Sequence, residues 1–594
     1  MSYSFSIDVG FGLSQMLTTL LSLHLAFTLV LLRIASSSAQ LHTNAIDCNV
    51  TSDGEDICLD AKRFEELFRW MQDGMDAHVP EQHRQGLPRL HEVIARKNRT
   101  FVANRDLHPG ELLLRFPRQR LMHSGYYIDG LDGTQRSLTA ALAEALVQKI
   151  VHIAPQTWLA LYIMEHRHLG RNSEWHPYLN LLPLEFAESP IFYTEKEFSW
   201  LEGSSFVPRA KKHLDMLKAQ FDTVAELVPG FVENYTLAEF LWARSAIATR
   251  VFGWDLPGLP SGHNDFMVPL GDMFNHRSPK QLEWIYNEST DTLDYWVREN
   301  VSANSELLIS YGTKSNGDYL LYYGFTVPGL PQRSYPVCSV KLALGIDGIP
   351  DQEAKRKWLI KASFTKVREH EPFEVKLRET WEKDPQKMLE HARFLVLPNM
   401  SEVERQIAPA MKNCKRIAIP PGSCEKPISK DNERAALEYC LRLMKLSLRA
   451  YPTTLQEDED LLPSLSGLQL SLVTLRRDEK IVFHWWERYL ALALEMLELA
   501  PSQIEQRCKA VLGDSQCTSE DNWYMNVTIY ELLGGIDAEP KSNQFFIWAA
   551  LIVTVAAATI LPRFMKVEAR KSNAAMTTAS GDKSQRSRIG KTKK

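Results

Sequence analysis

The sequence predicts an α+β chain in which small β-sheets enclose a helical insertion and give way to a mostly α-helical C-terminal domain, with an apolar transmembrane helix beyond it. Three observations carry that expectation. Residues 88–125 hold short apolar runs with strand-like alternation, broken by a Pro109-Gly110 turn. From about residue 136 the apolar spacing changes to three and four, as in LTAALAEALVQKIV and AEFLWARSAIATRVF. Strand signals return over 266–326 in QLEWIY, TLDYWVR and ELLIS, and after Pro331 the pattern is mostly helical again.

Taken in order, Met16 to Leu32 contains no charged residue, and Ser37 and Ala39 follow at the spacing of a signal-peptidase site. Residues 1–39 therefore read as a signal peptide or signal anchor, and 40–87 as an N-terminal extension. The sheet region spans 88–330, with its helical insertion at about 136–262. Residues 331–540 form the helical domain, carried by ERAALEYCLRLMKLSLRAY and EKIVFHWWERYLALALEMLELA, where the tryptophan pair reads as helix core. Phe545 to Pro562 is free of charge and close to the ~20 residues that span a bilayer as a helix. Arg563, Lys566, Arg570 and Lys571 follow it, so the positive-inside bias places the basic tail, 563–594, in the cytosol.

At 594 residues the chain exceeds what one core normally supports, and 44% hydrophobic with 24% charged residues is an ordinary globular composition. The net charge is −5, and the tail alone holds ten Lys/Arg against two Asp/Glu. What precedes it is thus more acidic still, which argues against a nucleic-acid partner. A type I single-pass protein with residues 40–544 in the lumen of the secretory pathway, endoplasmic reticulum or later, follows from the two apolar segments. Seven N-x-[ST] sequons, at Asn49, Asn98, Asn234, Asn287, Asn300, Asn399 and Asn526, agree with a glycoprotein. The eight cysteines group as Cys48/Cys58, Cys414/Cys424 and Cys508/Cys517, leaving Cys338 and Cys440; the close pairs read as local disulfides of an oxidising compartment. No C-x-x-C is present, so no metal site is expected.

No G-x-G-x-x-G after a strand, P-loop, H-E-x-x-H or G-x-S-x-G occurs, which removes the Rossmann, P-loop and commonest hydrolase readings. The stretch LGDMFNH at 270–276, followed by ISYGTKSNGDYLLYYGF from Ile309, instead resembles the two C-terminal motifs of a SET domain, in particular the split SET domains of the Rubisco large-subunit methyltransferase family. FVANRDLHPGELLLRFPRQRLM, WHPYLNLLP, RSAIATRVF and YPTTLQEDEDLL with LRRDEKIV match further family segments in family order, over roughly residues 88–500.

The resemblance implies methyl transfer from S-adenosylmethionine to a protein side chain, a displacement that needs alignment and exclusion of water. By the same resemblance Asn275 and His276 present backbone polar groups to the adenine, Phe325 lies beside that ring, and Arg250 holds the carboxylate of the donor. Tyr311 resembles the tyrosine whose hydroxyl lies near the transferred methyl. Tyr323 falls where lysine-modifying members carry tyrosine, whereas the histidine-modifying actin enzyme carries a smaller residue, so lysine is the expected acceptor. The function expected is a membrane-anchored, S-adenosylmethionine-dependent protein-lysine N-methyltransferase acting on a protein substrate. One departure stands against it: where the family has an acidic residue and Gly-x-Gly, this chain has Lys97-Asn98-Arg99-Thr100. Glycine lets the backbone approach a ligand closely, so the alternative reading is an inactive SET-fold protein serving as a protein-binding module.

Overall fold

The computed structural model describes residues 57–78, 93–96, 100–123, 153–258, 264–329, 337–342, 351–355, 357, 373–377, 383–406, 427–517 and 529. The two terminal apolar segments, the basic tail, Lys97 to Arg99, and the Cys48/Cys58 and Cys414/Cys424 pairings lie outside them. Among the described residues no helix is long and apolar enough to cross a membrane.

The chain divides into two compact units, one built mainly from residues up to Pro328 and the other mainly from Gly329 onward. In the first, helix α1 (Ile57–His78) precedes an antiparallel hairpin of β1 (Val93–Arg96) and β2 (Thr100–Ala103). The turn expected at Pro109-Gly110 is present, with Gly110 at φ 90, and leads into β3 (Leu112–Pro117) and β4 (Met122–His123). Helices α2 (Pro155–Leu169), α3 (Phe206–Leu227) and α4 (Leu237–Arg250) are the long helices in the described part of the insertion. A capping box between Thr236 and Glu239 starts α4 by satisfying its free backbone N–H groups.

Helix α4 ends earlier than the periodicity of AEFLWARSAIATRVF suggests. Val251–Gly253 is strand β5, paired with β6 (Asp265–Met267), which also pairs with β4. The β-branched Val251 and aromatic Phe252 fit a pleated surface as well as a helix, and the pairing with β6 decides between them. The later strand signals appear as β8 (Leu282–Asn287) and β9 (Thr292–Val297), which join β3 in the order β3-β9-β8. Two short parallel strands, β7 (Asn275–His276) and β10 (Leu308–Ile309), bring together the two distant motifs, with His276 opposite Ile309. Helix α5 (Asn316–Tyr323) completes the unit. Its core packs Phe101, Phe116, Phe274 and Tyr295 as tilted and edge-on aromatic pairs.

The second unit is helical, as expected, with α6 (Lys383–Leu395), α7 (Lys430–Arg449), α8 (Gly467–Met496, in this unit from Val473) and α9 (Pro501–Leu512). It also contains an antiparallel hairpin that the helical reading missed, β11 (Cys338–Leu342) with β12 (Phe373–Leu377). Trp486 and Tyr489 are buried on α8, so the HWWERY run is helix core. A bidentate Arg393–Glu433 pair, at 2.6 and 2.8 Å, ties α6 to α7. Cys508 and Cys517 form the expected disulfide with Cα atoms 5.8 Å apart, and Cys338 and Cys440 are buried free thiols.

Candidate active site

The chain reaches the site by a strained turn. Leu270 is buried at φ 70, ψ −48, outside the usual basins for a residue with a Cβ, and it turns the backbone so that Gly271–Met273 forms a short 3-10 turn beneath β3 and β9. A side chain at Gly271 would meet Val268 Cγ1 at 2.6 Å and the Tyr295 hydroxyl at 2.8 Å, so glycine is set by close approach. Tyr295 donates its hydroxyl to the Gly271 carbonyl at 2.8 Å and fixes the turn from below.

The turn buries Asp272. One carboxylate oxygen accepts a hydrogen bond from the Tyr178 hydroxyl, and the other lies 3.5 Å from Arg250 Nη1, which also donates to the Asp272 carbonyl at 3.0 Å. Burial raises the Asp272 carboxyl to about 6, with Arg250 and Tyr178 opposing the rise. Arg250 ends α4, where a cation also suits the helix dipole. Its Nε is buried and has no hydrogen-bond partner among the described residues.

Tyr311 sits where the two motifs meet. Its hydroxyl donates to the Phe274 carbonyl at 2.8 Å, and its backbone N–H donates to His276 Nδ1 at 3.0 Å. Because Nδ1 accepts, the ring proton belongs on Nε2, which reaches the Tyr319 hydroxyl at 2.9 Å; Tyr319 in turn donates to the Gly312 carbonyl at 2.8 Å. This network assigns His276 as neutral, and burial followed by the Lys314 charge lowers its pKa in agreement. Burial likewise raises the Tyr311 hydroxyl well beyond the neutral range and lifts Tyr323 to about 12, so both stay protonated at pH 7.

Tyr323 continues the wall, stacked on Tyr311 with ring centroids 4.9 Å apart. Gly324 ends α5 at φ 80, a left-handed cap, and a Cβ there would press on Glu188 at 2.9 Å. Past it, Asn316 clamps the returning chain: it donates to the Val327 carbonyl at 3.1 Å and accepts from the Val327 N–H at 2.8 Å. That clamp sets Phe325, whose half-buried ring stacks on Tyr319 at 5.4 Å and lies 6.2 Å from His276.

A cavity of about 450 Å³ opens here, and Arg250, Tyr311 and Tyr323 line it. The other sequence-predicted residues stand outside its lining. Asn275 is exposed and donates to Glu306 at 2.7 Å, His276 braces Tyr311, and Phe325 belongs to the aromatic cluster next to that histidine. Structure adds Asp272, Phe252, Lys314 and Arg244 to the wall. Lys314 donates to the Tyr311 carbonyl at 2.6 Å and stands 5.7 Å from the Tyr323 ring centre. A charged residue inside the otherwise apolar FLWARSAIA stretch was the signal for Arg244, and an acidic residue between buried apolar neighbours the signal for Asp272.

Residues 349–483 match the family described as Rubisco LSMT substrate-binding. The mouse actin-histidine N-methyltransferase is 26% identical over 394 residues, covering 64% of this chain and 61% of that protein. The ribosomal lysine N-methyltransferase of Schizosaccharomyces pombe is 25% identical over 205 residues, 34% of this chain and 36% of that protein. The chain thus spans less than two thirds of the length of these relatives. Among solved structures, the SET domain of LSMT bound to lysine and AdoHcy matches with a TM-score of 0.57 at 19% identity, over 79% of this chain and 99% of that one. Rubisco LSMT bound to AdoMet matches with a TM-score of 0.54 over 75% of this chain.

Proposed function

We infer that this chain, a SET-domain protein of the Rubisco LSMT type, is an S-adenosylmethionine-dependent protein methyltransferase whose acceptor is lysine. The observation that carries the reading is the Tyr311 hydroxyl, fixed on the Phe274 carbonyl at the cavity wall beside the Arg250–Asp272 pair. The residues fit the donor: the buried, unpartnered Arg250 Nε suits a carboxylate, and Phe325 offers an aromatic ring face next to the Asn275-His276 strand. Bound there, S-adenosylmethionine supplies a sulfonium methyl group.

The chain's own groups do the rest. Arg250 holds and orients the donor, with the Asn275-His276 backbone beside it, His276 fixes the Tyr311 backbone, and the neutral Tyr311 hydroxyl orients the reacting groups without acting as a base. Tyr323, Phe252 and Trp284 give the acceptor side an aromatic wall. Such a wall suits four methylenes ending in an amine, and a ring face favours the ammonium on its way in. Lysine is therefore preferred to histidine, although relatives of both kinds match.

The altered loop favours a second reading, a SET-fold binding module. The strands on either side of it are paired, Arg96 with Thr100. Labelled S-adenosylmethionine offered to the purified full chain is expected to bind and to label lysine in a protein extract. Binding that appears only after Lys97→Glu, Asn98→Gly, Arg99→Leu and Thr100→Gly would identify the binding module. No binding in either form, with the fold intact, would end the methyltransferase reading.

The same proposal includes a luminal setting and a single membrane anchor at 545–562. The exposure of Asn234, Asn300 and Asn399 supports it, since each sequon is open to a transferase. Glycosidase treatment of the expressed chain is expected to increase its gel mobility; an unchanged band, with the tail protected from protease, overturns the topology.

A further inference from the structure

Helix α4 turns a second arginine into the cavity. Arg244 is only 8% exposed and lines the cavity together with Gln156 and His213. Its Nη2 donates to Gln156 Oε1 at 3.2 Å, and Gln156 is itself held by Asp265 Oδ2 at 2.9 Å. Nε and Nη1 are buried without any hydrogen-bond partner among the described residues. Leaving donors of a buried cation unmade costs more than a typical hydrogen bond gains. A folded chain keeps such a group when something else completes it.

Of the other cations here, Lys314 is engaged by the Tyr311 carbonyl at 2.6 Å and the arginines already have carboxylates. Arg250 has Asp272, and Arg209, on α3, has Asp318. Among the described residues Arg244 has no carboxylate within 4 Å. Burial lowers its pKa to about 10, so it remains charged at pH 7. His213 is held neutral by burial and by the charges of Arg244 and Arg209, and its ring packs edge-on to Tyr322 at 5.8 Å. This part of the wall therefore offers a positive charge with donors free; Asp265 acts on it through space but spends its own oxygen on Gln156 rather than on the guanidinium.

We propose that Arg244, with His213 and Gln156 around it, is a subsite for a carboxylate of the substrate protein, the side chain of an Asp or Glu near the acceptor lysine. The assignment rests on the lysine-methyltransferase reading and adds a sequence preference to it. Arg244 and Arg250 are six residues apart on or at the end of one helix, about 9 Å along its axis. An extended peptide covers that distance in two or three residues at roughly 3.3 Å each. The subsite thus lies about two or three extended residues from the donor's end of the cavity, and an acid within about that reach of the lysine is the one that would meet it.

Fluorescein-labelled, C-terminally amidated peptides with one central lysine, and Glu or Gln two or three positions to either side, test this by anisotropy. They are titrated into the full chain with S-adenosylhomocysteine present. The Glu peptides are expected to bind about tenfold more tightly than their Gln counterparts, in line with a hydrogen bond to a charged group. Arg244→Gln should bring the two within twofold, and Arg244→Lys should keep part of the difference. Equal binding to the wild-type chain overturns the proposal whether or not the variants fold, and so does a preference that persists in a folded Arg244→Gln.

Two further arms separate the sources of carboxylate. A stronger gain from a free peptide C-terminus than from Glu would move the site to chain ends and overturn the side-chain assignment. A matching loss of S-adenosylhomocysteine affinity in Arg244→Gln would mean that this arginine serves the donor, which also overturns it. Failure of the methyltransferase reading shows separately, as a wild-type chain that binds no S-adenosylmethionine, and the peptide titrations without nucleoside then still decide the subsite.

Discussion

Tyr311→Phe is expected to slow methyl transfer by about 2 kcal/mol or more, the order lost when one preorganised polar group leaves a transition state. Donor affinity should hardly change. The hydroxyl is fixed on the Phe274 carbonyl at 2.8 Å, and the ring position is held independently by the His276 contact to its backbone and by the stack on Tyr323. Phenylalanine keeps that stack and the backbone contact, so only the hydroxyl is removed. A group that acts only in the transition state lowers turnover, whereas one that acts in ground and transition states alike raises the Michaelis constant. Arg250→Ala should behave in the second way, because its proposed role is to hold the donor. Single-turnover rates and equilibrium binding of the donor, measured on the same preparations, separate the two. Unchanged turnover in Tyr311→Phe would remove that residue from the chemistry.

Asp272→Ala is expected to destabilise the first unit by about 3–5 kcal/mol, the usual result of removing one partner from a buried ion pair. Asp272 is fully enclosed and accepts from Tyr178, while the Arg250 side chain is 12% exposed and its Nε already lacks a partner. The substitution leaves the Tyr178 hydroxyl without its acceptor and Arg250 without the carboxylate charge, although Arg250 keeps the backbone carbonyl of residue 272. Asp272→Asn keeps an oxygen for Tyr178 and removes only the charge, so it should cost less.

The pH dependence gives a second readout. The folded-state pKa of Asp272, about 6, lies above the ordinary carboxylate value of 3.8. The folded chain therefore holds this proton more tightly than the unfolded chain. The contribution of the group is most favourable below about pH 4, declines as pH rises toward 6, and then levels off, a change of roughly 3 kcal/mol by linkage. Urea unfolding across pH 4 to 7 should show that decline in the wild type and lose it in Asp272→Asn. A decline of the same size in both would assign it to other groups.

Much of the candidate site was legible because it is written in contiguous motifs. The runs around Asn275, His276, Tyr311, Tyr323 and Phe325 have fixed local spacing, and local spacing survives in one dimension. Strand alternation likewise marked β8 and β9, and the nine-residue separation of Cys508 and Cys517 marked their disulfide. Other features had no such signature. Hairpin β11–β12 pairs segments more than thirty residues apart, so no short window contains its partner strand.

By itself, then, the sequence determined the main strands and helices of the first unit, the largely helical character of the second and the motif residues of the candidate site, since these follow from periodicity and adjacent motif residues. Only the tertiary structure decided what each polar group touches. It made Asp272 the buried partner of Arg250, although the same residue reads as an ordinary turn former in the sequence. It made His276 a neutral brace for Tyr311 by closing β7 against β10, and it left Arg244 buried with donors unmet on the cavity wall. The reason is that burial and hydrogen-bond satisfaction depend on segments brought together from far along the chain, and charge inside a protein takes its energy from those neighbours.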